Sequence, residues 1–369
     1  MLLKWNDPAV RLTGRWSRNN PDCATATANG SYFEFAFKGR VAVMRFDVTL
    51  NAAPYPHLYV EIDGESRVEA PLDQYLRVFA KDANANHVAR VILKGSVEMQ
   101  PRWFQPLVGR TALLGIEVEE RGVLPADDRK IVEFVGDSIT EGVLIDADYA
   151  EKPAYTWDQH NRVYQDDVTA TYGWLTAEAL NLRPVMMGYG AVGATRGGCG
   201  GVVKAASAYP FVYDGVPYAG EAPDYVVINH GANDRGAGAE KYLAGYEELL
   251  DVIAEKYDKA VLVALSPFCG AYAAELEALC KSYSEKHGRT VHFINGGVWI
   301  PAEPLHPLRG GHKIVAEHLI PALKAIIAKL GTRFRVAYKT GEVNVLDTVR
   351  DKLADAITAS GASLTADQI

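Results

Sequence analysis

The sequence predicts a two-domain protein, an all-β N-terminal half followed by an α/β half on a five-stranded parallel sheet. Two observations predict the first half. Apolar residues alternate with a period of two from Gly30 to about Glu120, and each run is short and closed by Gly, Pro, Asn or Asp. A third predicts the second half: after the charged link RGVLPADDRK, near-continuous apolar runs alternate with helical stretches, the pattern of a parallel sheet covered on both faces. The expected boundaries are 1–125 for the β domain, 126–331 for the α/β domain and 332–369 for a C-terminal extension.

In chain order, SYFEFAFKG sets Phe33, Phe35 and Phe37 on one face and Glu34 and Ala36 on the other. RVAVMRFDV, HLYVEID, QYLRVFA, HVARVILKG and TALLGIEVEE follow as further strands, the arrangement of an antiparallel sandwich or barrel. In the second half RKIVEFV, RPVMMG, DYVVINH, KAVLVAL and VHFIN are the strands. AEKYLAGYEELLDVIAEKY, AYAAELEALCKSYSEKH and GGHKIVAEHLIPALKAIIAKL are the clearest helices. In the extension, Leu346, Val349, Leu353 and Ala356 recur at helical spacing, so a helix is expected there. It either packs on its own domain or docks on a second copy to form a homo-oligomer.

Composition removes several classes of function. Of 369 residues 48% are hydrophobic, enough to bury sizeable cores, and the net charge is −8. A nucleic-acid partner would call for a basic patch and a high pI, against the pI near 5.7 here. No apolar run is long enough to span a membrane. MLLKWNDPAVRL lacks the apolar centre of a secretory signal, so a cytoplasmic location is expected unless a signal has been removed. Cys23, Cys199, Cys269 and Cys280 form no CxxC pair and read as mostly buried thiols rather than disulfides or a zinc ribbon. His306, His312 and His318 are six apart, which on a helix turns neighbours to different faces, so no metal site is expected.

In open parallel sheets the site lies beyond the carboxyl ends of the strands. There the sequence sets Gly136-Asp137-Ser138 after the first strand, Gly188 to Thr195 after the second, His230-Gly231-Ala232-Asn233-Asp234 after the third and Glu303-Pro304-Leu305-His306 after the fifth. Each run alone reads equally as a turn or a helix cap. Together they supply the parts of an acyl-transfer site: a serine, a histidine with a carboxylate three residues away, and amide donors for an oxyanion.

These four runs, GDSITEG, GYGAVGAT, GAND and EPLHP, resemble blocks I, II, III and V of the SGNH, or GDSL-like, hydrolases. The resemblance spans about 130–330. It implies a flavodoxin-like α/β/α domain and ester hydrolysis through an acyl-serine, with Ser138 the nucleophile, His306 the base and an oxyanion hole of the Ser138 and Gly190 N–H groups and the Asn233 side chain. Glu303 stands where the family usually carries aspartate. It either orients His306 or leaves that task to a backbone carbonyl and a Ser–His dyad. With its N-terminal β domain, the chain further resembles carbohydrate esterase family 2 in VRLTGRWSRNN, GSYFEFAFKG, GYGAVGATRGG and HPLRGGH. That implies a jelly-roll first domain, an acetylated carbohydrate such as xylan or a xylo-oligosaccharide as substrate, and no cofactor. Candidate substrate contacts are Asp137, Tyr189 and Trp299, with Tyr149, Tyr155, Trp157 and Tyr164 in a long insertion after block I.

Three other readings compete. Gly188-x-Gly190-x-x-Gly193, with Asp214 downstream, fits a dinucleotide fingerprint, but the glycines that follow Gly193 make a poor first helical turn. A non-catalytic carbohydrate-binding protein would bind sugar without turnover. An SGNH esterase acting on another small ester would keep the chemistry and change the substrate.

Overall fold

The computed structural model describes residues 1–65, 67–147 and 159–339. The chain falls into two compact units, Met1–Ile320 and Pro321–Ile369. Both sheets lie in the first unit, and the described part of the second is the helical stretch 321–339. The helix expected over Leu346–Ala356 lies outside the described residues, as do Tyr149, Tyr155 and Trp157.

The N-terminal domain holds β1 Leu2–Lys4, β2 Val10–Thr13, β3 Trp16–Ser17, β4 Ala24–Ala26, β5 Tyr32–Phe46, β6 His57–Ile62, β7 Val68–Pro71, β8 Tyr75–Phe79, β9 His87–Gly95 and β10 Thr111–Arg121. The organising strand is β5. Its first half pairs antiparallel with β2 and β9, its second half with β8 and β10, so one strand serves two sets of neighbours in turn. Phe33, Phe35, Phe37, Met44 and Phe46 of β5 pack with Leu58, Val91 and Ile116 in one buried core. The sequence reading split β5 into two strands at Gly39, and this is corrected. The chain runs straight on, with Gly39 at φ 114° and the β10 register slipping between Val118 and Glu120. A bulge absorbs the glycine that would otherwise make a turn.

The second domain carries β11 Ile131–Gly136, β12 Arg183–Gly188, β15 Tyr225–Asn229, β16 Val261–Leu265 and β17 Val291–Ile294, all parallel, in the order β12-β11-β15-β16-β17. A small hairpin, β13 Phe211–Tyr213 and β14 Val216–Pro217, stands apart. The helices are α1 Ser138–Glu141, α2 Gln159–Gln165, α3 Tyr172–Ala179, α4 Ala205–Ala208, α5 Ala239–Lys256, α6 Ala273–His287 and α7 Arg309–Lys339. Tyr246, Leu249 and Ile253 of α5 and Leu276 and Tyr283 of α6 cluster with Val135, Ile228 and Leu262 of the sheet. Phe134 meets Tyr172 of α3 edge-on at 5.8 Å. With the strands in this order, the chain reverses direction across the sheet between β11 and β15, where open sheets place their sites.

Polar groups buried between the two sheets join the domains. Glu133 stands in the middle of the apolar strand β11 and is 1% exposed. Its charge is met by Arg15, also buried, at 2.8 Å, and by the Tyr209 hydroxyl at 2.6 Å. A second pair, Arg102 with Glu141, is fully buried, and the Asn29 amide donates to the same carboxylate at 3.1 Å. Gly30 admits this close approach, since a Cβ there would lie 2.6 Å from Met186.

Candidate active site

Strand β11 ends at Gly136, which pairs with Gly188 on one side and Asn229 on the other. A side chain cannot stand there, because a Cβ would lie 2.1 Å from the Thr140 hydroxyl. The chain turns at once into the one-turn helix α1. Asp137 caps it, accepting from the Ile139 amide at 3.0 Å, and Gly142 closes it at φ 84°. Ser138 is thereby fixed at the head of the turn, where first-turn amides have no intrahelical acceptor. Its Oγ lies 2.8 Å from Nε2 of His306. That is the separation at which a neutral imidazole accepts the hydroxyl proton.

Asn233 follows β15 in a 3₁₀ turn, Ala232–Asp234. Its amide donates to Asp137 at 3.2 Å and to the Val192 carbonyl at 3.1 Å, joining the first three strand-end runs. The next residue, Asp234, ends the same strand-end run. Asp234, buried, accepts from the Ala194 amide at 3.0 Å, the Thr195 amide at 2.9 Å and the Thr195 hydroxyl at 2.6 Å. It staples the glycine-rich loop to the Asn233 turn, a role visible only when the two loops are seen together.

Burial shifts several groups. It lowers His306 below the ordinary histidine value, with Glu98 pulling the other way and Arg162 adding to the fall. Asp137 is pushed up to about 7 by burial, against the Ile139 amide and with Asp234 and Glu141 adding to the rise. Buried His230 and His312 are held down at about 4 and about 3, so neither is charged at neutral pH.

Other sequence candidates stand elsewhere than expected. The Glu303 carboxylate is exposed and accepts from the Leu305 amide at 3.1 Å. It does not orient His306, and no carboxylate among the described residues lies within hydrogen-bond distance of that ring. Tyr189 is 2% exposed, its hydroxyl 3.0 Å from that of Thr27 and its ring under Arg102. It is an interdomain core residue, not a substrate contact. Asp137 likewise is buried as a cap. Trp299, half-buried, stacks on His318 at 5.4 Å. Gly190 stands in the same glycine-rich loop, its carbonyl accepting from the Cys199 amide at 2.8 Å. No helix opens at Gly193; its amide goes to the Arg196 carbonyl, and the next element is a 3₁₀ turn at Cys199–Gly201, so the dinucleotide fingerprint lacks its phosphate-binding helix.

A parallel sheet in this strand order brings a serine and a histidine into hydrogen-bond contact at its switch point. Residues 134–314 match the model of the GDSL-like Lipase/Acylhydrolase family. Among solved structures the chain is similar to a family two carbohydrate esterase from Clostridium thermocellum in complex with cellohexaose, at 20% identity, TM-score 0.69, covering 86% of this chain and 99% of that one. It is similar to a family two carbohydrate esterase from Cellvibrio japonicus at 19% identity, TM-score 0.72, covering 89% and 98%. It is also similar to an acetyl xylan esterase from the rumen bacterium Butyrivibrio proteoclasticus at 18% identity, TM-score 0.69, covering 88% and 96%. At these identities the likeness is one of fold, and it spans both domains. No curated protein matches the chain.

Proposed function

We propose that the protein is a serine esterase that removes acetyl groups from a carbohydrate such as xylan or its oligosaccharides. The observation that carries this reading is the 2.8 Å contact between Ser138 Oγ and His306 Nε2 at the carboxyl edge of the sheet. His306 takes the hydroxyl proton as Oγ attacks the acetyl carbon, and the oxyanion is held by the Ser138 and Gly190 amides and the Asn233 side chain. His306 then protonates the departing sugar oxygen. Water repeats the sequence on the acetyl-serine, releasing acetate and restoring Ser138. The carbohydrate side of the reading is supported by the fold shared with the carbohydrate esterases. An exposed aromatic ring adds support: Phe104 is 49% exposed and lies over Gly201 of the glycine-rich loop, a face on which a pyranose can stack.

The test is acetate release from 4-nitrophenyl acetate and from acetylated xylo-oligosaccharides, by wild type and Ser138→Ala in parallel. Cleavage of both substrates, lost by several orders of magnitude in the variant, is the expected result. Cleavage of the aryl ester alone keeps the serine esterase and removes the carbohydrate. Binding of the oligosaccharide with no cleavage of either substrate leaves a carbohydrate-binding protein.

A further inference from the structure

An asparagine side chain ends in a broad torsion with two nearly equivalent settings, one with the nitrogen and one with the oxygen in a given direction. Only the nitrogen can serve an oxyanion. Asn233 is half-buried on a three-residue turn, so its neighbours rather than its own packing have to choose the setting. Two acceptors do so. The amide nitrogen donates to Oδ2 of Asp137 at 3.2 Å and to the Val192 carbonyl at 3.1 Å. Turned over, the side chain would set its carbonyl oxygen against two further acceptors. Both bonds sit at the long end of the N–H···O range, so the amide can share a proton with a stronger acceptor without moving.

Asp137 also has a second task. Its Oδ1 caps the turn that carries Ser138, accepting from the Ile139 amide at 3.0 Å. Two donors from different segments therefore converge on one side chain that is 1% exposed. A carboxylate accepts both, whereas an asparagine has one oxygen and would turn its own NH2 against one of them. We propose that Asp137 is the positioning residue of the oxyanion hole, fixing the Asn233 amide nitrogen in the same frame as the nucleophile it precedes. This role rests on the esterase reading of Ser138, Asn233 and His306.

The experiment is a double-mutant cycle on 4-nitrophenyl acetate, with kcat and KM measured for wild type, Asp137→Ser, Asn233→Ala and Asp137→Ser/Asn233→Ala. Serine keeps an oxygen to cap the turn but has no second oxygen for Asn233. Loss of an oxyanion donor lowers kcat by about 10²–10³, the fall expected of Asn233→Ala. Asp137→Ser should lose a part of that, about tenfold, with KM little changed. In the Asn233→Ala background the same substitution should cost less than about twofold, because the group through which Asp137 acts is already gone. A residue that merely caps the turn and holds Ser138 would cost the same factor in both backgrounds. Retention of half or more of the effect, on a logarithmic scale, overturns the proposal, and so does wild-type kcat in Asp137→Ser. Should Asp137→Ser fail to fold, the same cycle with Asp137→Asn decides by the same criterion. Wild type inactive on every ester defeats the esterase reading and this role with it. Active wild type with an additive cycle defeats the role of Asp137 alone.

Discussion

His306 meets Ser138 with no help from its own loop, and two expectations follow at the scale of single residues. Glu303→Ala should keep most of the activity, within about tenfold, while His306→Ala should lose several orders of magnitude. Initial rates on 4-nitrophenyl acetate decide it, and a Glu303→Ala enzyme as dead as His306→Ala would return the glutamate to the site. The second expectation concerns pH. Burial lowers His306, so the neutral base persists below the ordinary histidine value, and the acid limb of kcat/KM should lie below about 6.5. Ser138, Asn233 and His306 were legible because each follows a strand whose position the apolar pattern fixes. Glu303 stays open between two roles in the sequence because spacing tells how far a residue is from its neighbour, not which way its carboxylate turns. Tyr189 was misread because its burial depends on Thr27, which lies in the other domain.

The five parallel strands and three long helices were legible element by element. A buried strand has to be apolar throughout, and a helix over a sheet has to carry an apolar stripe. The single long strand β5 was not, since a glycine in a bulge and a glycine in a turn look alike without the partner strand. The loops that hold the site also depend on bare glycines, and Gly190 gives the sharpest test. Gly190→Ala should push Glu98 off its place, at a cost of about 1–3 kcal/mol in denaturant unfolding. Gly236→Ala meets nothing within 4 Å and should stay within about 0.5 kcal/mol of wild type. Equal effects at the two glycines would contradict this account of the loop.

At the scale of the whole molecule, the two sheets share buried charges. Arg15→Met leaves Glu133 unpaired in the sheet and should destabilise by about 3–5 kcal/mol, read from chemical unfolding followed at the tryptophans. A change under about 1 kcal/mol would mean that Glu133 finds another partner. Stability should also depend on pH in a definite sense. Burial raises Asp137 and Asp166 to about 7 from an ordinary 3.8. Their contribution is full below about 4 and is lost as pH climbs through 7, so these two carboxyls favour the folded state on the acid side. Neutralising each by Asn should flatten the fall in melting temperature between pH 5 and about 8. The sequence displayed Glu133 as an oddity in an apolar run, but its partner stands 118 residues earlier, beyond the reach of any local pattern.

The pairing of Arg15 with Glu133 and of Arg102 with Glu141 also sets an order of events during synthesis. The N-terminal sheet leaves the ribosome first, with both guanidinium groups still hydrated and their carboxylates not yet made. Its own strands can pair at that stage, but its inner surface can dry only when the first strand of the following domain arrives. The closing step of folding is therefore the docking of the two halves. A chain ended just before residue 133 and free of the ribosome should hold a sheet that is formed, wet on one side, and open to proteases there.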